Sequence, residues 1–354
     1  MQTKYKEVLK HILYWTATIV ILKIAVYFPD FVENVYAKSI YPVIAVVNRW
    51  IARLAGFSIG DIIYLLGFSY FFYLLTQLIL HIRKPQTYLR EISSFLLKTI
   101  WIFYLSWGFN YFRQPLSIQL HLSTEKYSME QLLQVTDTLI ARTNRLQSDL
   151  MHNDTLAVEV PYGYERILQK TPEGYAAIEE IINQKYKVPC IKKSMYGKLI
   201  SYMSVSGYLN PFSGEAHVNF LYPKVFLPDI ASHEVAHQLG YAPENEANFL
   251  GYLAATHHPD PYFNYAGNID ALYYFMIELR KADKDLYQQK VTSLHKGVLK
   301  NFKEAYEFTK RYKFPIDFTD TYDVYLKANN QHAGIKSYNK MVGLVIAYEL
   351  RLDN

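Results

Sequence analysis

Apolar residues come in long runs before about Pro115 and in shorter, polar-interrupted stretches after it. Ile12 to Phe28 is apolar except for Lys23. Ile62 to Leu80 carries no charge over about 19 residues, enough to cross a hydrocarbon core. A third run covers Ser94 to Phe112, with Lys98 near its start and Trp107, Tyr111 and Arg113 near its end, where Trp and Tyr suit a membrane interface. The pattern predicts three transmembrane helices, at about 12–28, 62–80 and 94–112. Lys4, Lys6 and Lys10 precede the first, and no small-residue cleavage site follows it, so it reads as a retained span with Lys23 reaching towards the headgroups. Between the first two runs, Tyr41 to Leu54 carries Asn48, Arg49 and Arg53 within an apolar face. That fits either an amphipathic helix lying at the interface or a helix packed on protein.

Beyond Pro115 the signals are those of a water-facing domain. Ser128 and Gln131 form a capping-box start for a helix to about Leu150. Thr171-Pro172-Glu173 predicts a second helix through about Tyr186. Residues 189–222 turn strand-like, with turns at Asn210-Pro211 and Ser213-Gly214 and a strand over Glu215 to Leu221. Helices follow at Ile269 to Lys281, about Asp285 to Lys310, and Ser337 to Leu350. The expectation is an α+β, mostly helical chain: a membrane domain over 1–115 and a second domain with a small sheet over 116–354.

Composition agrees with the membrane reading. Hydrophobic residues make up 51% and charged residues only 19%, with 33 Tyr and 20 Phe. The net charge of +5 is concentrated beside the apolar runs, so the lipid bilayer is an expected partner and nucleic acid is not. Three crossings, with the N-terminal lysines and His81–Arg90 on the cytoplasmic side, place the C-terminal domain outside the cytoplasm. In a Gram-negative inner membrane that side is the periplasm. Cys190 is the sole cysteine, which excludes a disulfide framework and a multi-Cys metal site; it reads as a small buried residue.

The candidate chemistry lies in Ser232 to Ala255. His233-Glu234-Val235-Ala236-His237 puts two imidazoles one helical turn apart on one face, with a carboxylate beside them. Two imidazoles and a neighbouring Glu suit a zinc ion (Zn2+) and a general base. Pro228 and Asp229 start the helix and Gly240 ends it; Pro243 opens the next. A third ligand is needed, and Glu244 and Glu246 lie about 200° apart on that next helix, so both cannot face one metal. The face of Glu244 continues through Ala247, Asn248, Gly251, Ala254 and Ala255, small enough for close packing on the first helix, whereas that of Glu246 continues through Phe249, Leu250 and Leu253. Glu244 is the expected ligand, Glu246 the reserve, and Asn248 a hydrogen-bond partner for a ligand. A surface helix that carries these residues by chance, or a metal site without catalysis, would give the same five letters. His257-His258 reads as a solvated helix end, because adjacent side chains diverge and Pro259 follows. In many zinc peptidases an edge strand beside the motif helix holds the substrate backbone by strand addition; the alternating strand at Glu215 to Leu221 fits that role, as would a strand of any kind.

Three N-terminal apolar helices, GYLNPFSGEAHVN, SHEVAHQLGYAPENEANFLGYLA and YLKANNQHAGIKSYNKMV together resemble the DUF3810 family of Bacteroidetes membrane proteins, over nearly the whole chain. The resemblance implies a bacterial envelope location and a zincin-like metallopeptidase domain, without a substrate. A looser likeness to gluzincins, whose ligand Glu begins an E-x-x-x-D pattern, supports Glu244; Asn248 stands where the pattern has Asp and cannot bring its charge. His237-Gln238-Leu239-Gly240 is similar to the metzincin turn, whose ligand position falls here on Pro243, which cannot bind metal. The implied function is hydrolysis of a peptide or protein substrate with Glu234 as base. Tyr338 and His332 are candidates to stabilise the developing oxyanion. Cell-wall amides or esters are alternative substrates, and a non-catalytic membrane sensor or scaffold is the alternative to an enzyme.

Overall fold

A computed structural model of the chain describes residues 2–80, 82, 84–123, 126–313, 323–324, 327–329 and 340–352. The chain divides into two compact units, Met1–Gln114 with Asn210–Glu215, and Pro115–Leu209 with Ala216–Asn354.

The first unit is helical. Helix α1 spans Gln2–Tyr27. A short turn, Pro29–Phe31, leads through a π-helix, Val32–Ile40, into α2, Tyr41–Arg53. Helix α2 exposes large apolar side chains, Val43, Val47 and Trp50, while it buries Tyr41, Ala45 and Ala52 together with Arg49, which is only 3% exposed. Helix α3, Ile59–Ile79, starts at Ser58, whose Oγ accepts the Asp61 amide at 2.9 Å. The buried Glu215 carboxylate accepts two more amides of that first turn, from Ile59 at 3.2 Å and from Gly60. Donors that a helix start leaves unpaired are thereby satisfied by a negative charge at the positive end of the dipole. The Arg113 guanidinium grips buried Glu33 through two bonds, 2.8 and 3.1 Å long.

Helix α4 spans Pro85–Ser106. Among the described residues, two helices are long and apolar enough to cross a membrane, at Leu9–Tyr27 and Ile59–Ile79. The expected third span, 94–112, is therefore corrected. The helix containing it begins early enough to include Arg90, Glu91 and Lys98, and it stops before Trp107, where a 3-10 turn over Gly108–Phe112 takes over. Its polar side chains are directed at α1: Ser94 meets His11 at 3.0 Å, Ser93 accepts Trp15 Nε1 at 2.9 Å, and Trp101 Nε1 donates to Thr18 at 2.9 Å. Two crossings do not carry the parity argument that set the C-terminal part opposite the N-terminal lysines.

In the second unit, α5 spans Met129–Met151 and opens with the complete Ser128/Gln131 capping box. Helix α6 spans Tyr164–Ala177, with Pro172 inside it. The expected start at Thr171 is thus wrong. Pro172 sits in the third turn, where it deprives only the Leu168 carbonyl of its partner, and the helix ends at Ile178, well short of Tyr186. Strand β1 (Ile191–Lys193), helix α7 (Gly197–Tyr202), and strands β2 (Gly207–Leu209) and β3 (Ala216–Val218) follow. The sheet order is β1-β3-β2, with β1 parallel and β2 antiparallel to β3. Because β3 is central, the strand expected to receive substrate has both edges occupied; among the described residues the open edges belong to β1 and β2.

Helices α8 (Leu227–Gln238), α9 (Glu244–Thr256) and α10 (Pro261–Ala282) form the core. Leu227, Val235, Leu250, Leu253, Ile269 and Phe275 are fully buried there. Helix α10 starts earlier than expected because Asp260 caps it, accepting the Tyr262 amide ahead of Pro261. The single helix expected over 285–310 is two, α11 (Lys284–Thr292) and α12 (Lys296–Arg311). Helix α13 spans Lys340–Leu352. Cys190 is buried, as expected.

Candidate metal centre

Helix α8 ends because Gly240 takes φ +89°, a left-handed conformation that favours glycine. The reversal returns the Tyr241 amide to the Ala236 carbonyl at 3.1 Å. It also brings the Tyr241 carbonyl to 2.8 Å from His237 Nδ1. That nitrogen donates to the carbonyl, which fixes the tautomer in which Nε2 is the unprotonated nitrogen, the one that can ligate a metal. Pro243 is extended, and α9 begins at Glu244. A Cβ on Gly251 would lie 3.1 Å from the His233 amide nitrogen, so the small-residue face of α9 is what lets the two helices meet this closely.

The approach places Glu244 Oε2 at 3.3 Å from His233 Nε2 and 3.7 Å from His237 Nε2. One ligand atom from each residue lies within 4.8 Å of the others, and the group can hold a metal ion. Ligands about 2.1 Å from a tetrahedral ion sit about 3.4 Å apart, close to these separations. Glu246 is directed elsewhere: its Oε1 accepts the Leu116 amide at 2.9 Å. His233 shares a side-chain hydrogen bond with Asn248, a buried residue whose Nδ2 has no partner among the described residues.

Charge is strongly coupled here. Burial lowers the His233 pKa, but its hydrogen bond to Glu244 and the charges of Glu234 and Glu244 outweigh that and raise it to about 9. Burial pushes Glu244 up, and the two imidazoles more than reverse it, holding the carboxyl well below its usual range. Glu234 has no such hydrogen-bonded partner. Burial raises it to about 7 against the pull of both imidazoles, and its Oε2 is buried without a hydrogen-bond partner among the described residues.

The same geometry accompanies a family match. A family model described as "Protein of unknown function (DUF3810)" matches residues 36–346. The chain belongs to the DUF3810 family. No curated protein and no solved structure matches this DUF3810 chain.

Of the other candidates, His332 and Tyr338 lie outside the described residues. His257 and His258 form no metal pair. His257 is exposed, whereas His258 is buried, stacks on Phe263 with ring centres 3.9 Å apart, and accepts the Asp260 amide at 2.8 Å. Sequence reasoning missed Gly207, where a Cβ would fall 2.6 Å from Glu234 Oε1. It also missed Asp270, whose carboxyl shares a hydrogen bond with Asp229. Burial raises Asp270 to about 6, against the nearby His233 charge. Neither position carries a local signal; each is defined by a partner distant in sequence.

Proposed function

We propose that this DUF3810 chain is a membrane-anchored zinc-dependent peptidase. The observation that carries the reading is the convergence of His233, His237 and Glu244 beside Glu234, a buried carboxylate with one oxygen left unpartnered. Two imidazoles and one carboxylate are a donor set that suits zinc and leaves a position for water. Bound there, zinc would supply the Lewis acidity that makes water nucleophilic near neutral pH. Glu234 accepts the proton of the attacking water and returns it to the departing amine.

The open edge of β2 supports a peptide as substrate. Asn219 donates to the Ser206 carbonyl at 2.9 Å, and β2 pairs Tyr208 with His217. Inward and outward backbone groups alternate, so Gly207 and Leu209 present their amides and carbonyls to the free side. An extended peptide paired there runs past Glu234, which packs against Gly207. The anchor reading rests on exposure: only 6% of the Ile59–Ile79 window and 11% of the Leu9–Tyr27 window is buried, leaving two apolar helices for lipid to cover.

The test is cleavage of a mixed peptide library by the full-length chain in detergent. The wild type should cleave it, and Glu234→Gln should keep its metal and lose about a thousandfold in rate. Cleavage that survives Glu234→Gln, or a zinc-loaded wild type that cleaves none of the library, would contradict the reading.

A further inference from the structure

A cavity of about 280 Å³ lies within the second unit, lined by residues of α5, α10 and α13 and by Thr256 and His257 at the end of α9. From Glu244 to Thr256, α9 runs about 18 Å at 1.5 Å per residue, so this cavity is separate from the metal centre.

Its charges are unequal. Glu349 is almost buried; it is held by Arg142 through contacts of 2.9 and 2.8 Å and accepts the Tyr252 hydroxyl at 2.6 Å. One guanidinium is thereby neutralised. Arg145 also lines the cavity and has no carboxylate partner among the described residues, which leaves a net single positive charge. Asn268, 3% exposed, is the second observation. Its Nδ2 donates to the Asn264 carbonyl at 2.8 Å, while its Oδ1 is buried with no partner among the described residues. The Nδ2 bond fixes the amide's orientation, so the unpaired atom is an acceptor that requires a donor. A buried acceptor left without one keeps a desolvation cost that a bound donor removes.

We propose that this cavity binds a small monocarboxylate with an N–H donor beside its carboxyl group, the arrangement found in an N-acylated amino acid. The carboxylate pairs with Arg145, and the N–H donates to Asn268 Oδ1. The single uncompensated charge favours a monoanion over a phosphate, and the volume admits a ligand at the small end of the usual range.

The test uses the full-length chain in detergent, treated with EDTA so that no carboxylate can bind through a metal. N-acetylglycine and N-acetylsarcosine, which differ in the N–H, are titrated by calorimetry. N-acetylglycine should bind, and N-acetylsarcosine should bind about tenfold more weakly because it leaves Asn268 unpaired. Arg145→Gln changes an exposed side chain and should weaken N-acetylglycine about tenfold without altering the fold. Equal binding of the two compounds, unchanged affinity in Arg145→Gln, or no saturable binding by about 10 mM would overturn the proposal.

Discussion

Buried charge in the first unit is handled differently from buried charge around α8 in the second. In the first, buried carboxylates are matched: Glu33 is gripped by Arg113, and Glu215 caps the start of α3. In the second, the residues around α8 leave acceptors and donors over. Glu234 Oε2, Asp229 Oδ1 and Asn248 Nδ2 are buried without partners among the described residues, while His233, His237 and Glu244 crowd one point. Matched buried charge holds architecture, because removing one partner strands the other. Unmatched buried charge is a standing cost that a fold keeps only where something else completes it. The contrast separates structural from chemical residues within one chain.

The sharpest way to break the comparison is to strand a matched charge. Arg113→Met should destabilise the first unit by about 2–3 kcal/mol, since buried Glu33 would lose its two guanidinium bonds and keep the mostly exposed Lys38 ammonium, 3.5 Å away. Thermal unfolding of the full-length chain in detergent reads this, and metal content should be unaffected. A stability within about 0.5 kcal/mol of wild type would show that the pair is not structural. Crowding the unmatched charge should act the other way. In Gly207→Val the new Cβ falls where Glu234 Oε1 lies, 2.6 Å away. Peptide cleavage should drop about a hundredfold through misplacement of the base, with metal retained; equal loss of metal and activity would mean that β2 merely supports α8.

The next test uses pH. His233 in the metal-free site has its pKa raised to about 9, and a metal ligand must be neutral. Below that pH, binding releases a proton, so metal affinity should fall about tenfold for each unit of acidification from 9 towards 7 and level off above 9. A flat profile across that window would remove the coupling between Glu244 and His233. The smallest effect expected is Ser128→Ala, which removes one half of the capping box of α5, far from either kind of charge. It should cost about 1 kcal/mol and leave metal binding and cleavage alone.

What the chain made legible was local. The motif helices, the reversal at Gly240 and the Ser128/Gln131 cap are each written within a few residues, and the structure has them where the spacing puts them. Helix geometry also separates Glu244 from Glu246, because two residues on one helix cannot share a direction. What stayed hidden was set by distant partners. Glu215 bonds amides 155 and 156 residues away, and nothing in GEAHV announces it. The central place of β3 depends on pairing with β1, 25 residues earlier in register, so a strand read alone looked like an edge. Pro172 looked like a helix start because its ring tolerates the first turn best, yet the helix had already begun at Tyr164. The third apolar run reads as a span within 94–112, but the helix that forms takes in Arg90 and Glu91 and stops before Trp107.

The most direct measurement is the zinc content of the purified full-length chain beside Glu244→Gln and Glu246→Gln. The account predicts about one zinc in the wild type and in Glu246→Gln, and none in Glu244→Gln. A folded wild type that takes up no zinc on reconstitution, or loss of zinc only in Glu246→Gln, would contradict it.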